Sequence, residues 1–125
     1  MARKLRVEYP GAIYHVMNRG DHREAIFRED ADRLLFLETL EQACQKTDWQ
    51  LHAWCLMNNH FHLVVETPKG NLVAGMKWFL ANYTCRFNRK HKLFGHLFSK
   101  WERSITGRNA LKLRRQRPNG SCARN

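Results

Sequence analysis

Two histidines one residue apart, His60 and His62, lie inside the run Asn58-Asn59-His60-Phe61-His62-Leu63-Val64-Val65-Glu66. In an extended chain, side chains i and i+2 share a face with their Cα atoms about 7 Å apart, so both imidazoles can converge on one cation. Phe61, Leu63 and Val65 then point the other way, toward a core, and Glu66 extends the polar face. Imidazole pairs on strands also occur as solvated surface or as hydrogen-bonded partners. Spacing by itself therefore leaves a metal site and a plain polar face as alternatives. The other histidines, His15, His22, His52, His91 and His96, lack this spacing, and for His15 and His52, which fall in strands, a satisfied hydrogen bond is the expectation.

The elements that must position this pair are readable from periodicity. Ala12 to Arg19 suits a first strand ending at Gly20-Asp21. A helix follows, with Glu29, Asp30 and Asp32 in its first turn, where the backbone dipole favours negative charge, and with Leu34, Leu37, Leu40 and Cys44 as its expected core stripe. Trp49 to Met57 reads as the second strand. Asn58-Asn59 reads as a tight turn using the left-handed backbone that asparagine tolerates, so that strands two and three pair antiparallel with His60 beside the bend. After Pro68-Lys69-Gly70, the side chains Leu72, Met76, Phe79, Leu80, Tyr83 and Phe87 share one face of a helix running from about Leu72 to His91. Gly95-His96-Leu97-Phe98 looks like the start of a fourth strand. The order strand, helix, strand, strand, helix, strand predicts an α+β, ferredoxin-like split β-α-β sandwich, with an antiparallel sheet and two helices on one face. The paired histidines then fall on the open face.

With 125 residues, 43% of them hydrophobic, the chain suffices for one compact domain. Its formal net charge of +11 points to an acidic partner, nucleic acid before an anionic membrane surface. The excess is concentrated in residues 99–125, where 8 Lys or Arg stand against 1 Glu. Near the end of the second helix, Arg86, Arg89, Lys90 and Lys92 suit both the helix dipole and phosphate, so they are the candidate nucleic-acid-binding residues. Trp49, Trp54, Trp78 and Trp101 could stack on unpaired bases if exposed. Cys44, Cys55, Cys85 and Cys122 form no Cys-x-x-Cys pair, which argues against a zinc ribbon or a disulfide framework. No run approaches the roughly 20 apolar residues that a membrane-spanning helix needs, and the basic N-terminus lacks the apolar stretch of a signal peptide. A cytoplasmic protein is expected.

Four runs carry a resemblance. They are Gly11-Ala12-Ile13-Tyr14-His15-Val16-Met17-Asn18-Arg19-Gly20, Ile26-Phe27-Arg28-Glu29-Asp30, Met57-Asn58-Asn59-His60-Phe61-His62-Leu63-Val64-Val65, and Tyr83-Thr84-Cys85-Arg86-Phe87-Asn88-Arg89-Lys90-His91 continuing to Gly95-His96-Leu97-Phe98. In order and spacing they closely resemble the REP-associated and insertion-sequence-type one-tyrosine transposases, whose shared signature is His-hydrophobic-His. The resemblance spans Tyr9 to Phe98, the expected domain at 9–98. It implies single-stranded, hairpin DNA as partner, a homodimer, and a divalent ion, magnesium or manganese, held by His60 and His62. It also implies the chemistry: the ion polarises a phosphate oxygen, and a tyrosine hydroxyl attacks phosphorus to give a covalent 5′-phosphotyrosine that conserves the bond for rejoining.

In such proteins the tyrosine sits on a further C-terminal helix, within a Tyr-Ile-x-x-Asn-Pro-like segment. No segment after Phe98 matches it, and residues 99–125 read as a basic, disordered or aberrant tail of a C-terminally truncated or frame-shifted chain. An incomplete fourth strand would leave an unpaired sheet edge prone to association. The tyrosines are Tyr9, Tyr14 and Tyr83. Tyr83 is the least implausible nucleophile, although its position on the stripe with Leu80 and Phe87 favours a core role. The catalytic residue is thus left open. Two alternatives to an active transposase follow: a catalytically dead DNA-binding remnant, and an RNA-binding ferredoxin-like domain that stacks bases on its sheet.

Overall fold

The computed structural model describes residues 8–105 and the backbone of 121–124. Strand β1 (Ala12–Arg19) pairs antiparallel with β3 (His60–Thr67) along its whole length, Ala12 opposite Thr67 and Arg19 opposite His60. On the other side of β3 lies β2 (Gln50–Leu56), while β4 (Glu102–Ile105) covers the free edge of β1 and β5 (Ser121–Arg124) that of β2. The sheet order is β4-β1-β3-β2-β5. Helix α1 (Asp30–Thr47) follows β1 and helix α2 (Leu72–His91) follows β3, and their rings meet the sheet on one face through Phe36, Phe61 and Phe79. This is the expected ferredoxin-like split β-α-β sandwich with one strand added at the β2 edge.

Alternation builds the core. Ala12, Tyr14, Val16 and Asn18 of β1 are buried, as are Phe61, Leu63 and Val65 of β3. A β-bulge between Leu51 and Ala53 leaves His52 as an extra residue in β2 and turns it onto the open face, where its Nε2 lies 3.0 Å from Glu66 Oε1.

Three expectations are corrected. The core stripe of α1 is Phe36, Thr39, Leu40, Ala43 and Thr47, whereas Leu34 is 68% exposed and Leu37 and Cys44 are only half-buried. Asp32 accepts hydrogen bonds from the Arg28 and Glu29 amides, with Glu29 completing a capping box, and it lies 2.8 Å from Lys90 Nζ and 3.0 Å from His91 Nε2 at the end of α2. This buried anchor lies on the same face as Phe36, Leu40 and Ala43 and ties the start of α1 to the end of α2. The fourth strand begins beyond Phe98, where the expected domain had ended. Phe98 makes one bridge to Gly20, and the strand itself is Glu102–Ile105, with Arg103 reaching over the Tyr14 and Trp101 rings. A four-residue strand is too short to show a period, so the predicted unpaired edge is in fact occupied. Finally, neither Asn58 nor Asn59 has positive φ, since among the described non-glycine residues that conformation falls at His22, Arg23, Asp48 and Lys92. Met57 N donates to His60 O at 2.9 Å and closes the loop without it.

The Asp32 anchor yields a prediction. Burial raises its pKa, but hydrogen bonds from Lys90, His91 and the Arg28 amide outweigh burial and hold it below the ordinary 3.8. A depressed carboxylate stabilises the fold above its unfolded pKa and loses that contribution as pH falls through the folded value. Asp32→Asn should cost about 2 kcal/mol at pH 7, the scale of a charged hydrogen bond. The gap from wild type should close as urea unfolding is repeated from pH 5 downward, and a gap that widens in acid would refute this account.

Candidate metal and nucleic-acid site

His60 and His62 share the open sheet face, with ring centroids 5.2 Å apart and planes at 83°. Each ring uses Nδ1 for a neighbour. His60 Nδ1 lies 2.9 Å from Asn59 Oδ1, and because an amide oxygen only accepts, His60 must carry its proton on Nδ1. The amide is oriented by its own Nδ2, which donates to Arg23 O at 3.4 Å. His62 Nδ1 lies 2.9 Å from His15 Nε2. In both rings Nε2 is the atom left for a ligand, which fits a divalent ion or an ion-bound phosphate. Neutral rings are also what a metal needs. Burial, then His15, His60 and Arg19, depress His62 from 6.5 to about 4, while burial and Arg19 lower His60.

Arg19, opposite His60 in the β1–β3 register, is an exposed guanidinium beside the pair. Sequence reasoning missed it because its proximity follows from strand register. Its place in the first resembled run was the available signal. Glu66 is engaged by His52 and lies four residues along β3 from His62, about 13 Å at strand rise, so it does not join the pair.

The four basic candidates at the end of α2 divide. Arg86 donates to Thr39 Oγ1 at 2.8 Å and to Gln42 Oε1 at 2.9 Å, bridging the helices, and Lys90 is held by Asp32 at 2.8 Å and Glu29 at 3.1 Å. Arg89 and Lys92 are exposed. They sit where α2 returns to the His60 end of the sheet, next to Phe94, which is 95% exposed. None of the tryptophans is an exposed stacking platform. Trp49 is buried with its indole N–H on Asn71 Oδ1, and Trp54, Trp78 and Trp101 pack on the core.

The tyrosines do not approach the histidine pair. Tyr83 is fully buried among Phe27, Phe36 and Phe87 and donates to Ile26 O at 2.6 Å. Burial pushes its phenol far above the ordinary 10.0. Tyr14 is buried on the helix side of β1, and Tyr9, 45% exposed, precedes the opposite end of that strand. Ala12 to Met17, the residue facing His62, alone spans about 17 Å.

Among the described residues, one set of three His, Cys, Asp or Glu side chains brings its ligand atoms within 4.8 Å of one another: Glu29, Asp32 and His91. This set could gather round a cation, and Lys90 already reaches two of its members. No described helix is long and apolar enough to cross a membrane.

The fold is an α+β, ferredoxin-like sheet with two helices on one face and a histidine pair on the other, and the comparisons specify the family. The sequence profile described as transposase IS200-like matches residues 8–113, and the chain belongs to that family of metal-dependent transposases. Among solved structures it is similar to a REP-associated tyrosine transposase bound to a REP hairpin, with TM-score 0.65, 9% identity and 84% of this chain covered; this chain spans 62% of that one. It is also similar to a candidate transposase of Deinococcus radiodurans R1, with TM-score 0.65, 14% identity, and coverage of 90% of this chain and 92% of that one. No curated protein matches it.

Two outcomes follow from the geometry. In histidine NMR of the metal-free protein, His62 should titrate near pH 4 instead of 6.5. Because its folded pKa is the lower one, the unfolded state takes up the proton first, and His62 should erode stability as pH falls from 6.5 toward 4. A midpoint above 6 would contradict burial as the cause. Tyr83→Phe should lower stability by about 1 kcal/mol, the net worth of one hydrogen bond, while leaving DNA binding intact. Loss of DNA binding in a folded Tyr83→Phe variant would show that the phenol serves the site.

Proposed function

We propose that this chain is a transposase domain that binds single-stranded hairpin DNA and holds a divalent ion, magnesium or manganese, through Nε2 of His60 and His62. The observation that carries the reading is the pair itself: two half-buried imidazoles on one open face, each with Nδ1 engaged and Nε2 free. When bound, the ion would supply Lewis-acid polarisation of the scissile phosphate. Two imidazoles favour manganese over magnesium, which prefers oxygen. The chain's own residues supply the rest. Arg19 offers a guanidinium to the same phosphate, and Arg89 and Lys92 extend positive charge along the adjoining end of α2, which supports sequence-independent, salt-sensitive affinity. None of the three tyrosines is placed to attack a phosphate at this pair within one protomer, so strand cleavage through a phosphotyrosine requires a hydroxyl from elsewhere, such as a partner subunit. The sheet face argues against the RNA-binding alternative, since the described side chains of its open side include no Phe, Tyr or Trp.

The test uses end-labelled hairpin DNA from the chain's own flanking sequence, with manganese or magnesium. A native gel should show a retarded complex that weakens as salt rises, and a denaturing gel should show no covalent adduct formed by this chain alone. Arg19→Ala should weaken binding several-fold, as expected for loss of a charged contact worth roughly 1 kcal/mol. His60→Ala and His62→Ala should each abolish manganese binding. Retention of manganese by both variants, or absence of any DNA complex at low salt, would overturn the reading. An adduct lost in His60→Ala would instead show that one of Tyr9, Tyr14 or Tyr83 reaches the pair.

A further inference from the structure

We infer that His15 is a positioning residue: its Nε2 accepts the Nδ1–H of His62 and so fixes His62 in the tautomer whose Nε2 lone pair is free for a ligand. The inference rests on His60 and His62 being the metal-holding pair. His15 lies on β1 opposite Val64, and His62 lies opposite Met17, so the two are diagonal neighbours across the strand pair. Side chains meet on that diagonal only when they are long or ring-shaped. Here they meet well: His15 Nε2 is 2.9 Å from His62 Nδ1, and the ring planes differ by 9°. Near-parallel rings let an in-plane N–H meet an in-plane lone pair.

One proton is shared in this contact, and the two ways of placing it are not equivalent. If His15 donates, the neutral His62 ring must hold its proton on Nε2, where it blocks a ligand. If His62 donates from Nδ1, His15 carries its own proton on Nδ1 and Nε2 of His62 is open. His60 shows which arrangement the site favours, because Asn59 Oδ1 can only accept and therefore fixes the proton of His60 on Nδ1. His15 does for His62 what Asn59 does for His60. Metal-bound imidazoles commonly donate their second N–H to such an acceptor, and removing that acceptor weakens binding about 10- to 100-fold. His15 is not itself a third ligand of the pair. Its Nε2 is spent on His62, and among the described residues His15, His60 and His62 do not bring three ligand atoms within 4.8 Å of one another.

The experiment uses the full chain labelled with 15N-histidine. Long-range proton–nitrogen correlation spectra of the metal-free wild type should show His62 protonated on Nδ1. Manganese titration followed by electron paramagnetic resonance should show His15→Leu binding at least about 10-fold more weakly than wild type, on the scale known for such outer partners. His15→Gln, whose side-chain oxygen can only accept, should restore most of that affinity together with the His62 tautomer, which a purely space-filling role would not require. An Nε2-protonated His62 in wild type, a folded His15→Leu that binds manganese normally, or a folded His15→Gln as weak as the leucine variant would each overturn the inference. If His15→Leu fails to fold, the wild-type tautomer and the glutamine variant still decide. Manganese affinity unchanged in His60→Ala would sink the parent reading and this inference with it. Affinity lost in His60→Ala but kept in His15→Leu sinks the inference alone.

Discussion

The register between β1 and β3 is the constraint on which both core and site depend. In that register Phe61, Leu63 and Val65 are buried against the helices and His60, His62 and Glu66 face away. A slip of one residue would exchange the faces. It would expose three side chains whose burial is worth roughly 1.5–3 kcal/mol each and bury polar groups without partners. The sum is comparable to the total stability of a small domain, about 5–15 kcal/mol. The histidines are therefore positioned by hydrophobic burial on the opposite side of their own strand, and no separate device is needed to hold the strand in place.

What alternation cannot supply is the orientation of each ring, and the loop at the strand end contributes this for His60. Asn58 O accepts from the Ile26 and Phe27 amides, and Asn59 O accepts from Gly20 N. Asn58 Oδ1 receives Arg33, and the Asn59 side chain joins Arg23 O to His60 Nδ1. Two asparagines thus tie β1, the segment leading into α1 and the β2–β3 bend into one hydrogen-bonded unit, with an imidazole as its outermost member. The resemblance to the one-tyrosine transposases and the physical reading meet here, because the residues of the shared run are those whose backbone and side-chain bonds fix the pair.

Much of this was legible in the sequence because the relevant signals are local. The bounds of β1 and α2 follow directly from alternation and from the Leu72 to Phe87 stripe, and the shared face of His60 and His62 follows from strand geometry. What the sequence leaves hidden is the partners that lie distant along the chain. Asp32 ties α1 to Lys90 and His91, some 58 and 59 residues away, and the Leu34 stripe gave no hint of it. His52 makes the hydrogen bond expected of it, but its partner, Glu66, is in reach only because of a bulge. His15 makes the hydrogen bond expected of a strand histidine, with a partner that only the diagonal of the β1–β3 pairing reveals, and Arg86 and Lys90 suit the helix dipole or phosphate until the Thr39 hydroxyl and the Asp32 carboxylate of α1 are seen across from them.

The same sheet that presents the histidines also limits how a nucleophile can reach them. Tyr14 and Tyr83 lie on the helix side, under the layer formed by Phe27, Phe36, Phe61 and Phe79, and the phenol of Tyr83 is committed to Ile26 O. Bringing either hydroxyl to the open face would require dismantling the core that fixes the β1–β3 register, and with it the pair to be served. Any tyrosine hydroxyl that attacks a phosphate at His60 and His62 must therefore approach from the open side, on an element other than β1 to β4, α1 or α2. On the proposed reading, a site divided in this way would let the histidine half be fixed by the fold while a nucleophile comes and goes, a physical route to joining cleavage of one strand with rejoining to another.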